Sequence, residues 1–560
     1  MHRIKKYKSS VIFNTKPLMR PMNRFINTSS LQSLILKIPK PSSPPLPTDI
    51  SNDHNTQTMS NQEQEPEDTS LTPNEIEMIR ESSFVQALPP HEHEQQIIYP
   101  PKIQSISTYI PLNEEGLLTY QRPKHVPTPF QIYTTPRDDQ KLDPGVGSHS
   151  GTSVSKFPRL SVTKILTQSW CELRDWYDVY SMAAREETEA MRRGKESHLA
   201  LELETHPLVD MTTVEEAIPE FIRKPIDIYA ESIVDTLNRL ITLLTKGRAR
   251  EIYVHGFIDE FGVVEDSKDV KNETMIVTGV IDHLVLLSSD TNRPLEYEFN
   301  QFDDLKDIVE FGDDICDALE DRYRLVVSDV KTRSRRFIPN QESVLKSAKD
   351  QVMIYKKFLD VLGEDNNGVR WLEEYCFRKK LNIDEPLSPE IILGLIHTYP
   401  IFFKDFERMR DGESIDDPLF DNHSQKYMKY DLSYLKNQIH DPEMLKIVEP
   451  FLTTWETIPT TRYFITRLSH IFRFISKLSH GDLRVEYYYQ NENFHTLNFQ
   501  YDENETSVVV AKGLEFWLGR RDPEPVTGMK FNSICKYCEF QPFCSWNKEL
   551  SEMNFQQHQW

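Results

Sequence analysis

The chain has 560 residues, 38% of them hydrophobic and 27% charged, with a formal net charge of −22 and six cysteines. It is long enough to bury a substantial core, too poor in cysteine for a disulfide scaffold, and lacks the run of about 18 apolar residues that would span a bilayer, so no membrane insertion is expected. A field this acidic does not attract nucleic acid, so any such contact has to be local and lined by selected basic residues.

Residues 1–48 invert the balance, with nine Lys or Arg and no Asp or Glu, which leaves −31 on the remainder. Interspersed with Ile4, Val11, Ile12 and Phe13, this composition fits a mitochondrial transit peptide, the alternative being a disordered basic arm. Residues 49–155 are rich in Pro, Ser, Gln, Glu and His and read as a low-complexity, largely disordered lead-in. A folded domain is expected over 156–550, followed by a short tail at 551–560.

From Cys171 to His206 few breakers interrupt recurrent apolar positions, which predicts helix; a second helical run covers about 212–247. Within the first, Gly194 and His198 are four apart on one face, so a small residue can pack closely while the imidazole reaches a metal. Three apolar segments then read as strands: EIYVHGFI, TMIVTGVIDHLVLL and RYRLVVSDVKT. Residues 286–320 between the last two look like an insertion.

Asp282 lies in the second strand, and Asp329 and Lys331 in the third. Residues two apart on a strand share a face, so Asp329 and Lys331 point into one site. Carboxylates with phosphate oxygens are natural ligands for magnesium or manganese, and a lysine beside them can orient water or offset developing charge. Asp259 in GFIDE is the competing first carboxylate; the stronger strand before Asp282 and its shorter span to Asp329 favour Asp282. The helix that follows presents Gln351 and Tyr355 four apart on one face, where amide and phenol can order a ligand or a phosphate.

Just past Lys331, Arg333, Arg335 and Arg336, then Lys346 and Lys349, form a local basic cluster, arginine forks being suited to phosphates, the alternative being a solubilising surface patch. Helices dominate about 384–475, and LRVEYYYQ reads as a further strand. Its Tyr487, Tyr488 and Tyr489, like Phe516 and Trp517, fit either base stacking or core packing. Cys535, Cys538 and Cys544 close the chain as C-x2-C-x5-C, with Cys171 as the candidate fourth thiolate far upstream; such a set holds zinc or an iron-sulfur cluster. Cys316 and Cys376 lack partners in the sequence and read as buried thiols.

Taken in order, SVTKILTQSWCE, GKESH at 194–198, GVID at 279–282, DVKT at 329–332, QVMIY at 351–355 and CKYCEFQPFC at 535–544 resemble the exonuclease V family, iron-sulfur members of the RecB-like PD-(D/E)xK nucleases. The resemblance covers about 155–550 and implies an α/β restriction-endonuclease-like core with helical insertions, its N- and C-terminal parts joined by the cluster. It makes His198, Asp282 and Asp329 metal ligands, Lys331 the motif lysine, and Gln351 with Tyr355 the supporting helix pair. Cys171, Cys535, Cys538 and Cys544 would hold a [4Fe-4S] cluster. It further implies Mg2+ (or Mn2+) dependence, 5′ to 3′ hydrolysis of single-stranded DNA by a monomer, a single-stranded DNA-binding protein as companion, and a role in mitochondrial DNA maintenance. The second acidic position is Asp where Glu is commoner, one methylene shorter. An RNA nuclease and a catalytically silent nucleic-acid scaffold are the competing readings.

Overall fold

The computed structural model describes residues 99–135, 158–167, 171–183, 188–206, 223–295, 304–364, 368–423, 429–528 and 530–557. The basic segment 1–48 and most of the expected lead-in fall outside them. The architecture is α/β, built on a mixed seven-stranded sheet. Its strands are β1 (Leu160–Ser161), β2 (Arg248–Asp259), β3 (Gly262–Val263), β4 (Met275–Ser288), β5 (Tyr323–Thr332), β6 (Ser479–Tyr489) and β7 (Glu492–Gln500), in the order β3-β2-β4-β5-β6-β7, with β1 paired to β4. The β5–β6 and β1–β4 pairs are parallel and the others antiparallel.

The central strands are apolar in nearly continuous runs rather than in alternation, because both faces of the sheet are covered. Ile281, Leu284 and Leu286 of β4 and Leu325 and Val327 of β5 are fully buried. Packed on the sheet are α2 (Glu189–Thr205), α3 (Pro225–Lys246), α4 (Leu305–Glu320), α5 (Glu342–Gly363), α6 (Thr461–Lys477) and α7 (Glu503–Trp517), while α1 (Glu172–Ser181) packs on short helices of the 99–135 segment and α8 is Ser545–Gln557. The long α5 packs on β2, β5 and β6 and against α6. Two glycines let it approach: a methyl group on Gly279 would meet the Tyr355 ring at 2.4 Å, and one on Gly256 would meet Phe358 at 2.3 Å. Helix α5 therefore lies in a trough made by side chains the sheet does not have.

The structure departs from the sequence reading in several places. The helical run from Cys171 is broken after α1, where Met182 turns left-handed (φ 49°). Residues 305–320 of the expected insertion form α4, packed against α6 and β5. The second strand of the C-terminal hairpin, β7, was not expected; its half-exposed, polar-rich sequence carries no apolar run. Helix α8 runs into the expected tail.

The largest difference lies in the lead-in. Residues 99–135 fold onto the body, with Ile103, Ile106, Ile110 and Leu118 at most 3% exposed. The Leu118 N–H donates to the Phe543 carbonyl (2.7 Å), the Ser545 N–H donates to the Leu118 carbonyl, and the Arg122 guanidinium donates to the Gly519 and Val126 carbonyls. Among the described residues, 99–135 thus pack with the body ahead of residue 156. A polar, proline-rich strap gains its order from tertiary contacts that its own composition does not announce.

Candidate active site

Strands β4 and β5 and helices α2 and α5 bring the predicted polar residues together. Asp282 interrupts the apolar centre of β4, and its Oδ2 accepts the backbone N–H of Val330 at 2.7 Å. That bond ties it across to β5 between Asp329 and Lys331. On β5, Asp329 is 1% exposed, with Lys331 Nζ 2.8 Å from its Oδ2. The Lys331 ammonium also donates to Gln351 Oε1 (3.0 Å), and Gln351 Nε2 donates to Tyr355 Oη (2.8 Å). Carboxylate, ammonium, amide and phenol thus form one chain, held by two turns of α5 against the β5 face.

His198 of α2 enters from the other side, its Nδ1 3.9 Å from Asp282 Oδ1 and 3.4 Å from Glu251 Oε1. His198, Glu251 and Asp282 have ligating atoms all within 4.8 Å of one another. Glu251 escaped the sequence reading: it is the first residue of a strand-like run and belongs to no motif. Its signal is only relational, an acid on the strand that pairs with the one carrying Asp282. Gly194 lies near Thr332, but an added methyl would meet Thr332 Oγ1 at an ordinary 3.4 Å, so the close packing expected of that glycine is not required. Asp259 sits at the β2–β3 turn, where its Oδ1 accepts the Phe261 N–H, and is not part of the group.

Electrostatics follow from crowding acids in a dry place. Burial, then the neighbouring Asp329, push the Asp282 carboxyl up to about 8, against the pull of His198 and Lys331. The hydrogen bond to Glu251 raises the His198 imidazole despite its burial. Burial opposes the charge on Lys331, yet Asp329 and Asp282 outweigh it and hold the ammonium above its ordinary value. Burial drives the Tyr355 phenol well up, so it stays protonated. Asp329 Oδ1 is buried with no hydrogen-bond partner. A buried carboxylate oxygen left unpaired is costly, and a divalent cation is the charge that would satisfy it.

The basic residues lie beside this site. Arg333 stacks over Tyr487 (5.3 Å to the ring centre), Arg335 over the half-exposed Phe337 (5.4 Å) and Arg336 over Tyr489 (6.0 Å), with Arg336 also paired to Glu492. Lys349 lies over Phe499, whereas Lys346 is taken up by Asp350 and Glu505. Tyr487 and Tyr488 are buried, as are Phe516 and Trp517 at 1% exposure, so these aromatics pack rather than present a face.

The four cysteines lie around one pocket without clustering. Cys171, preceding α1, and Cys535, Cys538 and Cys544 of the C-terminal turns line this pocket, together with Tyr177, Phe540 and Trp546. Burial, compounded by one another's charge, raises the thiols, Cys535 to about 12 and Cys544 to about 11. A bound cation is what makes thiolates in such a place. No three of the four sulfurs lie within 4.8 Å of one another. Cys316 and Cys376 are buried elsewhere, as single thiols.

Residues 155–547 match the family model described as Exonuclease V, a 5′ deoxyribonuclease. The chain belongs to the Exonuclease V family. Among its relatives, "Exonuclease V, mitochondrial" of Vanderwaltozyma polyspora is 34% identical over 467 residues, 79% of this chain and 82% of the relative. The protein of the same name from Kluyveromyces lactis is 34% identical, covering 70% and 76%, and that of Eremothecium gossypii is 31% identical, covering 78% and 84%. In this Exonuclease V family member the mixed sheet and helical insertions are compatible with a PD-(D/E)xK nuclease core, and no helix among the described residues is long and apolar enough to cross a membrane. The strap at 99–135 precedes the region that the family model matches.

Proposed function

We propose that the chain is a divalent-metal-dependent exonuclease that hydrolyses single-stranded DNA from its 5′ end, acting on mitochondrial DNA. The observation that carries the site is the pairing of Asp282 and Asp329 on adjacent strands, one carboxylate oxygen buried and unpaired, with Lys331 held beside them. His198, Asp282 and Asp329 are the residues that would hold Mg2+ or Mn2+; a bound ion supplies Lewis-acid polarisation of the phosphate and a water of lowered pKa.

The chain's own groups do the rest. Lys331, kept protonated by Asp329 and Asp282, places positive charge where the pentavalent phosphate gathers negative charge. Gln351 fixes the ammonium and is itself fixed by Tyr355, so the cation is positioned before substrate arrives. Arg333, Arg335 and Arg336 would grip the backbone of the incoming strand. Cys171, Cys535, Cys538 and Cys544 would bind a [4Fe-4S] cluster, a reading supported by the one pocket they line and by the family resemblance of their spacing. Mitochondrial action is supported by the names of the relatives and by the basic, acid-free residues 1–48.

Cleavage of end-labelled DNA and of matched RNA, with free or blocked 5′ ends, by wild type and D329A tests this reading. Mononucleotide or short products from free-ended DNA alone are expected, and none from D329A. Equal cleavage of blocked substrates would remove the exonuclease, equal cleavage of RNA the DNA preference, and an active D329A the site. Iron, acid-labile sulfide and zinc analysis of anaerobically purified protein decides the cluster.

A further inference from the structure

Glu251 belongs to none of the motifs that mark the site, yet three observations converge on it. Its carboxylate closes a group with His198 and Asp282 in which every ligating atom is within 4.8 Å of the others. It is held there by the backbone: Arg250 pairs with His283 and Ile252 with Ile281, so Glu251 falls across from Asp282, and at that position it adopts φ 55°. Left-handed backbone inside a strand is unfavourable for any residue with a Cβ and persists where the surroundings enforce it. The third observation is the distribution of hydrogen bonds around the group. Asp282 spends Oδ2 on the Val330 N–H, which leaves Oδ1 on the side of His198. Asp329, next along the site and 1% exposed, has an unpartnered Oδ1. Three carboxylates and an imidazole therefore face one ammonium, Lys331, which sits at the Asp329 end. At the Glu251 end the ion-pair partner among the described residues is the His198 imidazole.

We infer that Glu251 is a direct ligand of a divalent cation that it holds together with His198 and Asp282, an inference that rests on the metal-dependent nuclease reading. Asp282 is then shared between two poles, Glu251 with His198 on one side and Asp329 with Lys331 on the other. A mixed imidazole and carboxylate donor set takes Mg2+ or Mn2+, the imidazole favouring manganese. The charge of the cation offsets the electrostatic strain of the crowded acids, and the left-handed turn at Glu251 aims the third ligand.

The test uses the full chain and Mn2+ alone, without DNA: calorimetric titration, and the rise in melting temperature that the metal produces. Glu251→Gln is expected to weaken Mn2+ at least tenfold and to lose most of the metal-induced rise. Glu251→Gly removes the same carboxylate while adopting the left-handed backbone freely, so it guards against a folding defect; it is expected to match the Gln variant in Mn2+ binding and to equal or exceed wild type in metal-free melting temperature. Glu251→Asp should restore part of the affinity. Wild-type Mn2+ binding in the Gln and Gly variants, with binding lost in Asp282→Asn, would overturn the role of Glu251 and leave the nuclease reading standing. Wild-type binding in Asp282→Asn would remove the metal site itself.

Discussion

At the scale of single residues, the site is a contest between burial and charge that the protein resolves by pairing. Lys331 stays charged in a largely buried position because Asp329 and Asp282 outweigh desolvation, and Gln351 holds its head in place. Gln351→Ala is expected to lower kcat by about tenfold to a hundredfold, with KM for DNA little changed, since the amide positions the lysine rather than binding substrate. Tyr355→Phe, which removes only the hydrogen bond to the Gln351 amide, should cost less, about threefold to tenfold. Single-turnover kinetics on a short single strand checks both; a larger loss in the Phe variant would show that the phenol itself meets the reacting groups.

At the scale of elements, the segment that carries Cys171 is fastened to residues 521–524, upstream of the C-terminal cysteines, by a buried carboxylate. Glu172, the first residue of α1 after Cys171, is 1% exposed and accepts from Arg521 at 2.6 and 2.7 Å, from Thr167 at 2.6 Å and from the Glu524 N–H at 2.7 Å. Burial raises its carboxyl, but Arg521 and Thr167 prevail and the folded pKa lies below the ordinary 4.5. A depressed folded pKa contributes stability that is fully present above the unfolded value and is lost as pH falls through the folded one. Glu172→Gln should therefore cost about 3 kcal/mol at pH 7, with a difference from wild type that shrinks below pH 4.5; calorimetric melting at both pH values measures it. The strap gives a second prediction. Leu118→Pro deletes the donor to the Phe543 carbonyl next to Cys544 and should cost about 2 kcal/mol. If the strap shields the cysteines, the same variant loses iron and sulfide faster in air than wild type does; an unchanged melting temperature would show the strap to be loosely attached.

At the scale of the whole molecule, if Arg333, Arg335 and Arg336 grip the DNA strand, a protein of net charge −22 draws that anionic strand to a small basic area. Arg335→Ala with Arg336→Ala should weaken single-stranded DNA binding and flatten the slope of log affinity against log salt by about 1.4, the counterions of two phosphates, without changing Mn2+ binding. Fluorescence anisotropy at several salt concentrations reads this. The sequence alone singled out Asp282, Asp329 and Lys331, which the structure brings together; they are legible because a charged residue inside an apolar strand is costly and strand periodicity says which residues share a face. The cysteine spacing was legible for the same kind of local reason. Only the tertiary structure decided what has no local pattern: that Glu251 is turned toward Asp282 by a left-handed residue within β2, that β7 extends the sheet, and that residues 99–135 cover the cysteine lobe. Those features depend on partners hundreds of residues away or on a neighbouring strand, and their free energy appears only when the chain has closed around them.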